Sequence, residues 1–451
     1  MFAGIGCQEQ GIKDTGMFDL EVKAISEIDK YAILAYAAVH CGLTKELINT
    51  YAEYPSTEEM VQELVAGNIG YDFKNDKAYD WDRVNVTELK TYWLAYHLSH
   101  CMGDISKIES LPYADLWTIS FPCTDISAAG ALRGFSPDSK TRSSLLWENI
   151  RLLHKAKEDN MLPKYLLFEN VKNLVSKRFR ADFNTLLSVL EDIGFNSYWS
   201  VINAVDCDVP QSRERVFVIC IRKDIDVRGF VFPKACTTTK TLRDVLDTEV
   251  DAAYYVKGDN VDAFVQSLDS LQEGINAVNT CANGAARTLK AQYFKNSLAN
   301  FKTEGGFGAT AAVKVTKNKR MLRKLTPTEC WRLMGWKDTE IRKAIEIGVS
   351  PTQLYKQAGN GIVTECVRLL MERLIVAQYD SGYISYDERT VSADVAPEVI
   401  RLGNIYPSNG QNGNVYSPNG VSPTLVSGVT ATQGNGGIGS SNAPKILVGD
   451  D

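Results

Sequence analysis

The sequence predicts an α/β protein built on a doubly wound, mostly parallel sheet, with a second, smaller and irregular domain inserted late in the chain. Three observations predict it. Over the first 235 residues short β-rich runs alternate with helical runs. Groups of Gly, Pro, Cys and charged residues stand where the predicted strands end. Between Cys236 and Leu325 the periodicity fades and the charge balance reverses. Strand–helix alternation implies βαβ units, whose crossovers cover both faces of a parallel sheet.

The expected strands are Glu21–Glu27, Leu116–Phe121, Tyr165–Glu169, Tyr198–Asn203 and Val216–Ile221. Helices are expected over Ser143–Lys157 and Phe179–Ile193, where apolar residues recur every three or four positions. This first region, residues 1–235, carries an insert at 44–96 with five Lys/Arg against ten Asp/Glu. Its helical spacing around Met60, Leu64 and Val65 reads as a solvated cover, since a charge run keeps a surface wet. Residues 236–325 form the smaller domain, with thirteen Lys/Arg against nine Asp/Glu, and six of the bases fall within Lys314–Lys324. Helical patterning resumes over 326–380, first at Thr326 and again at Gly361–Gln378, where Ile362, Cys366, Leu370 and Leu374 share a face. A Gly/Asn-rich extension follows at 381–451; from Arg401 it holds ten glycines, seven asparagines and four charged residues, the composition of turns and weak strands or of disorder. Asn283-Gly284-x-x-x-Thr288-Leu289 recurs there as Asn419-Gly420-x-x-x-Thr424-Leu425, which an Asn-Gly turn before a strand explains.

Composition narrows the function. Hydrophobic residues make up 44% and charged residues 23%, a globular balance that excludes wholesale disorder. The net charge of −6 excludes a blanket polyanion binder, so contact with nucleic acid needs a local basic patch such as Lys314–Lys324. No stretch reaches the ~18 apolar residues of a membrane span. The start lacks the basic and apolar parts of a secretion signal. Ten cysteines, none in a C-x-x-C pair, therefore read as reduced thiols in a cytoplasm.

Five motifs, together with Glu27, carry chemistry. Phe2-Ala3-Gly4-Ile5-Gly6 is a glycine turn that lets backbone approach a ligand, although Glu9 stands where a dinucleotide fingerprint has its third Gly. Glu27 ends the next strand, where a carboxylate bonds ribose hydroxyls, and Asp104 of Gly103-Asp104-Ile105 offers an acceptor to an adenine amino group. Together they suggest an adenosine-bearing cofactor. Ser120-Phe121-Pro122-Cys123 runs an apolar strand into a proline that fixes the turn and holds a thiol at the rim. A free Cys is usually a small buried hydrophobe, but Gly130–Arg142 is rich in Gly, Arg and Lys, which favours thiolate. Phe168-Glu169-Asn170-Val171 sets a carboxylate after an apolar strand, where burial raises its pKa. In Gln211-Ser212-Arg213-Glu214-Arg215, alternation puts Gln211, Arg213 and Arg215 on one side, with Arg suited to a carbonyl oxygen or a phosphate.

The order FAGIG, SEIDKYA, GDI, FPC, TRSSLLWENI, FENV, QSRER, a variable stretch, KLTPTECWRLMGW and QAGNGIV resembles the DNA cytosine-C5 methyltransferases, from Phe2 to about Gln378. The resemblance implies a Rossmann-like fold that binds S-adenosylmethionine through Phe2, Gly4, Gly6, Glu27, Ile28, Asp104, Ile105 and Asn360. Position 28, often aromatic in the family, is Ile28 here. It implies catalysis by Cys123, Glu169, Arg213 and Arg215 on C5 of a flipped-out cytosine in duplex DNA, through a covalent Cys123 intermediate. The segment between Gln211 and Thr326 corresponds to a target-recognition domain, with Lys314, Lys317, Lys319, Arg320, Arg323 and Lys324 as its phosphate-binding run. The implied partner is duplex DNA, with no membrane and no obligate protein partner, and with a cognate restriction endonuclease as companion where such a system exists. The tail is expected to touch DNA as well. The apolar strand that precedes Phe2 in the family is nearly absent, so the central strand is shortened, replaced by another segment, or truncated. Rival readings are a tRNA cytosine-C5 methyltransferase, a non-catalytic DNA-binding protein with the same fold, and a metal protein using His97, His100 and Cys101, which lack an evident fourth ligand.

Overall fold

The computed structural model describes residues 1–72, 75–127, 132–136, 139, 141–225, 230–236, 240, 242–255, 311–316, 319–379, 401–404, 414–416, 422–423 and 445–446. The N-terminal half opens with helices α1 (Cys7–Asp14), α2 (Lys30–His40), α3 (Lys45–Thr50), α4 (Thr57–Ala66) and α5 (Val86–Leu98). Strand β1 (Leu116–Ile119), helix α6 (Leu146–Glu158), β2 (Tyr165–Val171), α7 (Arg180–Ile193), β3 (Phe195–Asn203), β4 (Gln211–Ser212) and β5 (Glu214–Arg222) follow. The order in the main sheet is β1-β2-β5-β3.

β1 and β2 are parallel, as two strands joined by a crossover helix must be. β5 lies antiparallel between β2 and β3, so three strands share one direction and one opposes them. Chain length accounts for the reversal. Residues 204–213, between β3 and β5, are fewer than the dozen or so that a parallel crossover needs.

The sheet is covered on both faces. Along β2, Tyr165 and Leu167 point into one core with α1, α2 and α5, while Leu166 and Phe168 point into another with α6 and α7. β5 divides the same way, with Phe217, Ile219 and Ile221 on the first face and Val216, Val218 and Cys220 on the second. A strand buried on both sides reads as a continuous apolar run, which is what YLLF and VFVICI are.

Glu21–Glu27, expected as a strand, makes only an isolated parallel bridge, Ile25 to Cys101. A ladder needs a neighbour along its length, and here the opposite neighbour is short. The amino group of Met1 donates to the Thr118 carbonyl at 2.5 Å. Ser120 N–H reaches Met1 O at 3.4 Å, and Ala3 N–H reaches Ser26 O at 3.1 Å. Met1–Ala3 thus bridges β1 and the segment before Glu27.

The insert is less a cover than expected. Met60 and Leu64 are buried in the core, whereas Val65 is exposed. A capping box of Ser56 and Glu59 starts α4. The insert is clamped to α2 through Lys30, whose ammonium lies 3.6 Å from the Tyr79 ring centre, 4.7 Å from that of Tyr92 and 3.6 Å from Glu88. Aromatic faces and a carboxylate together offset the burial of that charge.

The C-terminal helices are α8 (Pro327–Arg332), α9 (Asp338–Ile347), α10 (Pro351–Asn360) and α11 (Thr364–Tyr379). Thr326 and Glu329 form a capping box at α8, with Pro327 at the first turn. Ile362, Cys366, Leu370 and Leu374 are all buried, as their spacing predicts.

A second sheet stands apart from the main one. Its order is β6-β7-β11-β9-β8: β6 (Ala311–Thr316) and β7 (Lys319–Lys324) precede α8, and β8 (Arg401–Asn404), β9 (Asn414–Tyr416) and β11 (Lys445–Ile446) follow α11. β10 (Ser422–Pro423) pairs with β4. Lys317, the first Asn-Gly repeat, and Asn419, Gly420, Thr424 and Leu425 of the second lie outside the described residues.

Candidate active site

One cavity of about 460 Å³ gathers most of the residues expected to act together. Phe2, Gly4, Glu27, Ile28, Asp104, Ile105, Cys123, Glu169, Arg213, Arg215 and Asn360 all line it. It opens where β1 and β2 end, the position at which α/β sheets receive ligands.

The end of the cavity lined by Phe2–Ile5 and Glu27 is built on backbone. Gly4 has φ +55 and Gly6 φ +80, both in the left-handed region that glycine tolerates best. Glu27 Oε2 accepts the Gly4 N–H at 2.9 Å, and Oε1 accepts those of Ile28 at 2.8 Å and Asp29 at 2.9 Å. Burial raises the Glu27 pKa, Asp29 adds to the rise, and these three N–H bonds oppose it. Asp29 caps α2 and pairs with Lys356 at 2.6 Å, which ties α10 to this end of the cavity.

Asp104 is more committed than its sequence setting suggests. Oδ1 accepts from Ser106 N at 2.9 Å and Ser106 Oγ at 2.8 Å, and Oδ2 accepts from Asn68 Nδ2 at 2.7 Å. A carboxylate has roughly four acceptor positions, so these three donors leave about one. Asn68 comes from the insert and has no signal in the sequence, because nothing local links it to a residue 36 positions away.

The Cys123 end is held by side-chain bonds to backbone. Asn170 donates to the Phe121 carbonyl at 2.9 Å, and Ser143 donates to that of Pro122 at 2.6 Å. Gln8 Nε2 reaches Ser120 Oγ at 2.9 Å. These bonds fix the turn that presents Cys123, whose thiol pKa is raised by burial against the opposing pull of Arg215 and Arg213. Of the bases in Gly130–Arg142, expected to favour thiolate, Lys140 lies outside the described residues and Arg142 lines the cavity. Arg133 is engaged by Asp125, at 2.7 Å, and the cations that act on the thiol come from the Gln211–Arg215 motif.

Glu169 and Arg215 pair at 3.1 Å, and burial raises the carboxyl pKa while both arginines pull it down. Arg213 differs from Arg215. Its guanidinium donates to the carbonyls of Gly359 at 2.9 Å and Gly361 at 2.7 Å, and burial lowers its pKa to about 9. Expected as a catalytic group, it lines the same cavity and also clasps the turn at Asn360 against the strand that carries Arg215. Gln211 is buried and donates to Leu333 O at 2.7 Å.

Other expected residues go elsewhere. His97 pairs with Glu63, and the Cys101 thiol donates to the Glu27 carbonyl at 3.3 Å. Among the described residues no group of His, Cys, Asp or Glu could hold a metal ion. Lys314 lies on β6, and Lys319, Arg320, Arg323 and the half-buried Lys324 lie on β7. No described helix is long and apolar enough to cross a membrane.

The C-5 cytosine-specific DNA methylase family matches residues 67–376. The chain belongs to that family. A type II methyltransferase of Lactococcus lactis subsp. cremoris, M2.ScrFI, is 36% identical over 84% of this chain and 98% of its own. The orphan methyltransferase M.SssI of Spiroplasma monobiae is 30% identical over 83% of this chain and 95% of its own. The S. pombe Dnmt2 methyltransferase superposes with a TM-score of 0.46 at 15% identity, covering 83% of this chain and 96% of that one. As a cytosine-C5 DNA methylase the protein is an enzyme that uses S-adenosylmethionine. Its cavity fits that donor on two counts. A Cβ on Gly4 would project into open space, so glycine leaves a cradle there. Gln357, which lines the cavity, leaves its buried Oε1 without a hydrogen-bond partner in the folded chain.

Proposed function

We propose that the enzyme methylates cytosine in duplex DNA through a covalent bond from Cys123 to C6 of a base swung out of the helix. The observation that carries this reading is the convergence of Cys123, Glu169 and Arg215 in the cavity lined by Gly4, Glu27 and Asp104. Cytosine C5 is a poor nucleophile because the ring is electron-poor. Addition of the Cys123 sulfur at C6 makes an enamine and gives C5 carbanion character. Glu169, with a raised pKa, hydrogen-bonds N3 and stabilises the charge that develops there, while Arg215 reaches the carbonyl oxygen. Bound S-adenosylmethionine supplies the electrophilic methyl group that C5 takes. Loss of the C5 proton and expulsion of Cys123 then restore the aromatic ring. The target atom is out of reach inside a duplex, so the base leaves the stack at a cost of a few kcal/mol.

In this reading Phe2, Gly4, Gly6, Glu27, Ile28, Asp104, Ile105 and Asn360 hold the donor. Residues 236–325 recognise the target, with Lys314–Lys324 on its phosphates. The similarity to type II enzymes supports a role beside a restriction endonuclease, and the similarity to orphan enzymes a stand-alone one. Cys123→Ala should abolish methyl transfer and keep donor binding. Duplex oligonucleotides carrying 5-fluorocytosine should form a denaturation-resistant adduct with the natural chain, and full activity of the Cys123→Ala chain would end the proposal. Bisulfite sequencing of DNA from expressing cells, with tRNA assayed in parallel, reads out substrate and sequence context together.

A further inference from the structure

The basic hairpin β6–β7 does not stand alone. β11 pairs antiparallel with β7, Lys445 opposite Lys324 and Ile446 opposite Arg323, and parallel with β6, Lys445 opposite Ala311. β9 pairs with β11, Tyr416 opposite Ile446, and β8 closes the edge with Arg401 opposite Tyr416. Three of the five strands therefore come from residues beyond α11, well over a hundred positions from the hairpin in the case of β11. A lone two-stranded hairpin is marginal in water, and three or more strands are needed for independent stability.

Charge follows the same assembly. The five strands carry Lys314, Lys319, Arg320, Arg323, Lys324, Arg401 and Lys445 and no acidic residue, in a chain whose net charge is −6. A concentration of one sign against the overall balance is the footprint of a polyanion site. The tail also reaches the catalytic side: β10 pairs in parallel with β4, Ser422 opposite Gln211 and Pro423 opposite Ser212. β4 leads directly into Arg213 and Arg215, and Gln211 is itself anchored to Leu333.

We propose that the C-terminal tail is a structural half of the DNA-gripping surface: β8, β9 and β11 complete the basic sheet, and β10 ties the tail to β4, the strand just before Arg213 and Arg215. The recognition module is then discontinuous in sequence, split around α8–α11. This deepens the function proposed above and rests on duplex DNA being the substrate.

The test uses the full chain. Ile446→Pro removes a ladder donor between β7 and β9. Amide hydrogen exchange should quicken across residues 319–324, and affinity for a mixed-sequence duplex should fall by roughly tenfold or more, while calorimetric binding of S-adenosylmethionine stays unchanged. The double variant Arg401→Gln, Lys445→Gln keeps every backbone pairing. Its slope of log affinity against log salt should shrink by about 1.8, near 0.9 for each phosphate that is no longer neutralised. Unchanged exchange over 319–324 in the proline variant, or an unchanged salt slope in the glutamine variant, overturns the tail's part. Failure of the natural chain to bind or methylate any duplex is a different result, and it sinks the DNA reading itself.

Discussion

Glu169 and Arg215 meet inside the cavity, Oε1 to Nε at 3.1 Å, with each side chain about nine-tenths buried. Burial pushes the Glu169 carboxyl above its ordinary range, and the guanidinium pulls it back. The pair is thus a setting device for one proton. Arg215→Gln removes the pull and leaves the burial, so the Glu169 pKa should rise further. The limb of the kcat/KM profile that reports this carboxyl should move to higher pH, with the rate at its plateau down by ~10² to 10³ as for loss of a charge-stabilising donor. A pH–rate series on both chains checks it, and a limb that stays in place would detach Arg215 from Glu169.

The two glycines of the first loop should respond differently to alanine. A Cβ on Gly4 meets nothing within 4 Å, so Gly4→Ala adds only left-handed backbone strain of about 1–2 kcal/mol and sets a methyl into the donor's space. On Gly6 the same atom would come 2.4 Å from His40 Nε2 and 2.9 Å from the Tyr36 ring. Gly4→Ala is therefore expected to fold and to bind S-adenosylmethionine less tightly. Gly6→Ala is expected to lose more stability than Gly4→Ala in urea denaturation. Equal stability of the two variants would contradict the packing around Gly6.

Asn68→Ala takes away one of the three donors on Asp104. A hydrogen bond to a carboxylate that only orients it contributes about 1 kcal/mol, so donor affinity should fall roughly fivefold. Turnover at saturating donor should hardly change, because Asn68 does not line the cavity. Calorimetry and saturation kinetics separate these terms.

Arg213→Ala should loosen the turn at Asn360 by stranding the carbonyls of Gly359 and Gly361. Removal of two charge-assisted bonds is expected to lower stability by about 3 kcal/mol. Donor affinity should weaken with it, and Arg213→Lys should recover part of the stability. A variant as stable as the natural chain would show that the clasp is idle.

Asn170→Ala frees the Phe121 carbonyl and with it the turn before Cys123. Adduct formation with 5-fluorocytosine should slow while donor binding holds. If both fall together, the bond supports the whole fold instead of the turn.

Much of this is legible in the residues. YLLF and VFVICI announce strands buried on both faces, and Thr326-Pro327 with Glu329 announces a capped helix, because each signal is local. Cys123, Glu169 and Arg215 are legible too, since residues at the ends of neighbouring strands must meet. Arg213 reads as catalytic, and its part as a clasp is illegible for the converse reason. Its partners, Gly359 and Gly361, lie more than a hundred positions away, and a guanidinium near a site looks the same whether it faces substrate or backbone. Asn68 leaves no trace for the same cause. The direction of β5 is readable from the shortness of residues 204–213, which cannot span a crossover.

Periodicity, turn chemistry and motif order are written into neighbouring residues, so the α/β class, the family and the thiol in the cavity wall follow from the order of amino acids alone. Which side chains share the cavity's charge, which arginine serves as a clasp, and which distant strands join the hairpin of Lys314–Lys324 emerge only on folding. Those depend on burial and on hydrogen bonds between segments far apart in the chain, and neither exists until the chain has closed on itself.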